Sequence, residues 1–251
     1  MKRRAPEYSE AAAWERFGQW LSSIPGSLLL EQELDCLEQL LGELFGYYLL
    51  QLGYPSGRPG LLVGSRIRHH VILDPLGRSP EVHMIGDPAR LPVASDSVDV
   101  VLLQHVLDFA AQPHQVLREA ERVLIPEGRL LLLGFDPWGL WGLWRRMRRP
   151  FGRLPWDAGE ISQRRARDWL SLLGFDVESS RSLMARPPLT SSRLMQRMAF
   201  LERLGSPLLG NVYVIQAVKR VSTLTPIKPK WAARSRALGA GAIEPTARSM
   251  R

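Results

Sequence analysis

The stretch Gly86-Asp87-Pro88-Ala89-Arg90-Leu91-Pro92-Val93-Ala94-Ser95-Asp96-Ser97-Val98-Asp99-Val100-Val101 decides how this chain folds. Its end runs into Leu102 and Leu103, so residues 97–103 are nearly all apolar. That is the pattern of a parallel strand buried on both faces. Asp99, at the start of this strand, reads as structural. Downstream, Gln112-Pro113 opens a helix with Val116, Leu117, Ala120, Val123 and Leu124 on its apolar face, and Pro126-Glu127-Gly128 stops it. Arg129 to Phe135 is the next strand. Upstream, Tyr47 to Leu52 ends at Gly53, His70 to Leu73 runs into Asp74-Pro75, and Val82 to Ile85 is a third short strand. A weak helical pattern covers 58–66.

Further along, residues 160–173 predict a helix closed by Gly174, and Phe175 to Leu183 a strand. A helix near 191–204 and a strand from Asn211 to Arg220 follow. Strands alternating with helices at this spacing predict an α/β fold with a parallel sheet. The pattern leaves the direction of the last strand open. Before the sheet, Trp14, Phe17, Trp20 and Leu21 mark a helix over 7–21. Pro25-Gly26 reads as its break and Ser27 as the N-cap of a second helix. In that helix Leu30, Leu34, Leu37, Leu41, Leu44 and Phe45 form one face, and Cys36 reads as a small buried apolar group. The division expected is a helical segment over 1–46 packed on the core, an α/β domain over 47–220, and a basic, disordered tail over 221–251.

The chain has 251 residues, enough to bury a full core without staples. Its single cysteine excludes an internal disulfide framework and any CxxC metal or redox motif. No apolar run reaches the roughly 18 residues of a spanning helix, and the N-terminus lacks a signal-peptide core, so a cytoplasmic protein is expected. The net charge of +8 suggests nucleic acid as a partner until it is resolved by segment. Residues 144–153 carry +5 and residues 222–251 another +5, which leaves the rest of the chain at −2. The basic character belongs to two short segments, so nucleic-acid binding is a partner class but not the favoured one. His69, His70, His83 and His114 show no ligand spacing, and no metal is expected.

The 86–101 stretch is followed by Gln104-His105-Val106-Leu107-Asp108-Phe109, then by Leu117-Arg118-Glu119-Ala120-Glu121-Arg122-Val123-Leu124-Ile125-Pro126-Glu127-Gly128-Arg129-Leu130. Together these resemble the class I S-adenosylmethionine-dependent methyltransferases, in particular the type 11 methyltransferase domain family. The usual form reads G-D-A-x-x-L-P-F-x-D-x-S-F-D-V-V, then H-x-L, then L-R-E-x-x-R-V-L-K-P-G-G. Val93 stands here for Phe, Ile125 for Lys and Glu127 for Gly. Leu172-Leu173-Gly174-Phe175-Asp176-Val177 is similar to the family's helix-to-strand junction, and the resemblance spans about 45–180. It implies a Rossmann-like class I methyltransferase sheet with helices on both faces, here with extra N-terminal helices.

The glycine motif is degenerate. The family's V-L-D-L-G-C-G-T-G corresponds to Leu49-Leu50-Gln51-Leu52-Gly53-Tyr54-Pro55-Ser56-Gly57, with Gln51 for the acid and Pro55 for the middle glycine. Proline there adds bulk and removes an N–H. The resemblance implies S-adenosylmethionine as cofactor, held by Gly53, Gly57, Asp74, Asp87, Ala89 and Gln104. Asp74, 21 residues after Gly53 at a strand end, suits a ribose-hydroxyl acceptor, and Asp87 with Ala89 suits the adenine. Only 13 residues separate Asp74 from Asp87, so the helix between their strands is expected to be trimmed to a loop.

His105 and Asp108 lie three apart and can share a helix face. His105 is a candidate base or a positioning histidine, and no catalytic residue is assigned. Trp138, Trp141, Trp144 and Trp156 fall within 19 residues beside the arginine run. By the family's topology this segment lies at the acceptor mouth, as a lid or substrate-selecting element. Its aromatic and cationic character suits an anionic or membrane-associated methyl acceptor. The function expected is methyl transfer to an unidentified acceptor. The alternative is a catalytically inactive binding or regulatory protein on the same scaffold.

Overall fold

The structure, a computed structural model, describes residues 10–53, 65–77, 81–143, 161–184 and 210–221. Two helices lead, α1 (Glu10–Leu21) and α2 (Ile24–Gly42). The strands are β1 (Phe45–Gly53), β2 (Arg66–Leu73), β3 (Val98–Gln104), β4 (Leu124–Phe135), β5 (Phe175–Leu183) and β6 (Val212–Lys219). Between them lie α3 (Val106–Phe109), α4 (Pro113–Val123) and α5 (Gln163–Leu172). Six strands form one sheet in the order β2-β1-β3-β4-β6-β5. The pairs among β2, β1, β3 and β4 are parallel, and β6 is antiparallel to both β4 and β5. The last strand, whose direction sequence left open, therefore runs against its neighbours.

Alternation along the strands fills two layers. Leu50, Leu52, Val101, Leu103, Leu130 and Leu132 face one cluster with Val116, Leu117 and Ala120 of α4 and Leu170 of α5. Leu49, Val100, Leu102, Leu131, Leu133 and Val214 face the other, under Leu37, Leu40 and Leu41 of α2. A parallel sheet covered on both faces needs this apolar run through every central strand. Asp99, half-buried, accepts from the Tyr47 and Tyr48 N–H groups at 3.0 and 2.9 Å, so it pins the entry to β1, a structural role.

Two readings change. Ser23, not Ser27, is the N-cap of α2, and Pro25 sits in the helix's first turn, where its missing N–H costs nothing. The Ser23 hydroxyl donates to the Trp20 carbonyl at 2.6 Å, so one residue ends α1 and begins α2. Gly26 is required here, since a Cβ would lie 2.9 Å from the Trp20 carbonyl carbon. The expected third strand, Val82 to Ile85, is reduced to a single parallel bridge between Leu73 and Met84. Asp87 and Pro88 turn the chain away after it, and the short crossing leaves no room for a longer ladder. The helix expected over 58–66 falls largely outside the described residues, but Arg66 already belongs to β2. The helix near 191–204 and the tail from 222 lie outside them altogether.

Candidate functional site

The carboxyl ends of the parallel strands converge where the sheet order reverses, between β1 and β3. Crevices at this point are the ordinary ligand site of open α/β sheets. Gly53 closes β1 with φ +101°, which side chains with a Cβ rarely adopt. A Cβ there would also overlap the Gln104 carbonyl oxygen and lie 2.9 Å from Val106 Cγ2. The backbone of β1 thus passes against the end of β3 only because residue 53 is glycine. The loop after it, 54–64, with Pro55 and Gly57, lies outside the described residues.

Asp74 stands at the end of β2, buried, and its Oδ1 accepts from the Leu76 N–H at 3.0 Å. Asp87 begins the next loop. Its Oδ1 accepts from the Ala89 N–H at 2.8 Å, and its Oδ2 accepts from Arg90 Nε at 3.1 Å. Asp87, Pro88 and Ala89 line a cleft of about 120 Å³ together with Pro75, Val106 and Gln112. The loop is held from α4. Arg122 donates to the Leu91 and Val93 carbonyls at 3.0 and 2.9 Å, and Glu119 accepts from the Leu91 N–H at 2.9 Å. Arg122 and Glu119 also bond to each other, which holds the Glu119 carboxyl below its ordinary range. The L-R-E-x-x-R segment is therefore a clamp on the loop that carries Asp87.

A second polar group lies beside the cleft, sealed from water. His105 follows β3 with φ +57° and caps α3. Its Nδ1 lies 2.9 Å from Asp108 Oδ2, and its Nε2 lies 2.7 Å from Glu33 Oε1. Glu33 Oε2 accepts from Gln104 Nε2 at 3.0 Å, and Asp108 Oδ2 also accepts from the Phe135 N–H at 3.0 Å. All four side chains are buried. Burial alone would hold the imidazole neutral. The Glu33 charge and the hydrogen bonds to Asp108 and Glu33 outweigh it, so His105 titrates at about 9. Burial pushes the Asp108 carboxyl up, against the opposing pull of His105. At neutral pH the imidazole is a cation donating from both nitrogens. With no accessible face, His105 acts as a positioning residue that ties α2, β3, α3 and the end of β4 together.

Aromatic rings close over this network. Phe135 and Phe17 lie 4.4 and 5.1 Å from the His105 ring, an arrangement that suits a buried cation. Trp20, Phe109 and Trp141 complete the cluster. Trp141 is buried and its backbone N–H donates to Asn211 Oδ1 at 2.7 Å, whereas Trp138 is exposed. Trp144, Trp156 and the five arginines beside them lie outside the described residues.

The structure thus brings Gly53, Asp74, Asp87 and Ala89 to one edge of the sheet. The Gln104 side chain is on the Glu33 network, under α2. Gln51 is buried in β1, and both its amide atoms lack hydrogen-bond partners. Sequence reasoning missed Glu33. Its signal was a carboxylate three residues after Leu30 and four before Leu37, on the apolar stripe of α2. Among the described residues, no group of His, Cys, Asp and Glu is arranged to hold a metal, and no helix is long and apolar enough to cross a membrane.

Comparison with known proteins agrees with this geometry. Residues 67–132 match the family model of the methyltransferase domain. An uncharacterized Escherichia coli protein, YafS, is 36% identical over 138 residues, 54% of this chain and 55% of its own, so the chain spans about half of that relative's length. A S-adenosylmethionine-dependent methyltransferase from Thermotoga maritima superimposes with a TM-score of 0.60 at 20% identity, over 83% of this chain and 99% of its own. A chain from the Haloferax volcanii complex containing the Trm112 methyltransferase activator gives 0.57 at 18% identity, over 83% of this chain and 98% of its own. The chain thus carries a segment, 67–132, that matches the methyltransferase domain, and it has the fold of the class I S-adenosylmethionine-dependent methyltransferases.

Proposed function

We propose that this protein binds S-adenosylmethionine and transfers its methyl group to an acceptor. The observation that carries the reading is the meeting of Gly53, Asp74 and the Asp87–Ala89 cleft at the reversal point of the sheet. The fit is sound for the adenosyl half. Gly53 provides a cradle that any Cβ would fill, Asp74 supplies a carboxylate at the ribose position, and Asp87 with Ala89 supplies the wall for the base. The cofactor, when bound, supplies an electrophilic methyl on a sulfonium centre. The chain's own work is to hold and enclose. Asp74 accepts from ribose hydroxyls and Asp87 accepts from an exocyclic amine; Gly57, four positions after Gly53, is assigned to the cofactor by its place in the glycine motif. Gln104 and His105, held by Glu33, fix the end of β3 against that of β4, where an acceptor approaches. Catalysis then rests mainly on positioning and exclusion of water.

The five arginines of residues 144–153, which follow β4 in sequence, suit an anionic or membrane-held acceptor. Calorimetric titration with S-adenosylmethionine and S-adenosylhomocysteine tests the reading. Binding of both is expected, and no binding at millimolar concentrations would overturn it. That outcome would favour the second reading, a binding protein on the same scaffold, for which the unpartnered Gln51 amide speaks.

A further inference from the structure

We infer that Trp14 is the closing wall of the nucleoside cleft and stacks on the base held there. The inference rests on the cofactor reading above and adds a residue from a helix outside the matched region 67–132. Trp14 lines the same cleft as Asp87, Pro88 and Ala89. It reaches the cleft because α1 is anchored just beyond it. Phe17 and Trp20, three and six residues on, are buried in the aromatic cluster, and the indole rests against Phe109 at 4.8 Å. Trp14 itself is only 4% exposed.

The chemistry of the cleft specifies what Trp14 meets. Among the described residues, Asp87 is its one ionisable lining residue, and Gln112 adds an amide; the other described walls are proline, alanine, valine and the indole. An uncharged aromatic ring with an exocyclic donor fits such walls, whereas a phosphate or a carboxylate does not. At about 120 Å³ the cleft falls below the roughly 300–1,000 Å³ of complete small-molecule sites, so it takes the base and leaves the remainder of the cofactor along Asp74 and Gly53. Trp14 is therefore a positioning residue for the base, and α1 is the lid that carries it.

The test uses the full chain, with adenosine and S-adenosylhomocysteine as calorimetric probes. Trp14→Ala is expected to weaken both about tenfold, at the low end of what base–aromatic stacking loses on truncation. Trp14→Phe, which keeps a ring, is expected to stay within about threefold of the unaltered protein. Leu21→Ala serves as the control. Leu21 is buried on the same helix in the aromatic cluster but does not line the cleft, so loosening α1 there is expected to leave affinity unchanged. In addition, S-adenosylhomocysteine is expected to quench tryptophan emission in the unaltered protein and to lose most of that quench in Trp14→Phe. Full affinity in Trp14→Ala, or equal weakening by Trp14→Ala and Leu21→Ala, would overturn the stacking role while leaving the cofactor reading intact. Failure of the unaltered protein to bind either probe would overturn the cofactor reading, and the Trp14 assignment with it.

Discussion

Replacing Glu33 by glutamine removes one charge from the sealed network and little else. The new amide can accept from His105 Nε2–H through its oxygen and donate through its nitrogen to Gln104, whose Oε1 has no partner now. Gln104 need only turn its own amide over. Hydrogen bonds are conserved in number, so the change reads the charge alone. Holding the imidazole at about 9 against an ordinary 6.5 corresponds to about 3 kcal/mol of stability. Because the folded value is the higher one, this contribution is complete below pH 6.5 and is lost as pH rises through about 9. Two of the four influences that raise it come from Glu33, the largest among them, so Glu33→Gln is expected to remove about 2 kcal/mol of that pH-dependent stability.

The assay is urea unfolding at intervals from pH 6 to pH 9.5, for both proteins. The unaltered chain is expected to lose stability steadily with rising pH over this range, and the variant to show a much flatter line. Taking the difference between the two removes titrations that do not feel Glu33; the Cys36 thiol, which burial and the Glu33 charge both push up, is silenced in both proteins by Cys36→Ser. Glu33→Ala is harsher. It strands the His105 and Gln104 donors and is expected to cost about 3–5 kcal/mol, the usual result of removing one partner from a buried ion pair. Histidine-labelled NMR reads the imidazole directly. An unchanged alkaline slope in Glu33→Gln, or a His105 ring already neutral at pH 7.5 in the unaltered protein, would refute the argument.

Two further outcomes follow from neighbouring contacts. Arg122→Leu removes the clamp on the Leu91 and Val93 carbonyls; about 1–3 kcal/mol of stability is expected to go, with faster amide exchange at Leu91 and weaker cofactor binding. Lys219→Met withdraws a buried ammonium that donates to the Glu121 and Leu124 carbonyls and to Asp96, each at 2.8 Å. It is expected to lower the melting temperature, at a cost of about 2 kcal/mol, while cofactor affinity measured by calorimetry stays unchanged, because these contacts lie at the end of the sheet opposite the cleft.

Sequence carried the sheet far because its signals are local. The apolar run before Gln104 and the Gly174–Phe175 junction gave β3 and β5 nearly residue for residue. Asp74 was singled out by its spacing from Gly53, and Asp87 and Ala89 by the resemblance of their stretch; the structure brings all three to one edge of the sheet. What could not be read was whatever depends on contact between distant segments. The direction of β6 depends on its pairing with β4, and the third strand failed because its neighbour offered a bridge rather than a ladder. Glu33 meets His105 across 72 positions, with no local trace beyond a charge on an apolar stripe. Trp14 read as one residue on the recurring face of a helix, and nothing in its helical spacing says that this face borders a cleft.

The span of the Glu33 contact has a consequence for the order of assembly. During synthesis α1 and α2 emerge first, yet the partner of Glu33 lies 72 residues later, and Asp108 is completed only by the Phe135 N–H. Until β4 has left the ribosome, the helix pair has neither a cation for its carboxylate nor a sheet for its leucines and tryptophans. Contacts this distant in sequence are slow to close, and apolar helices waiting for them are exposed to aggregation. The two helices are thus made before the strands they cover, and their docking waits for residues more than 70 positions downstream.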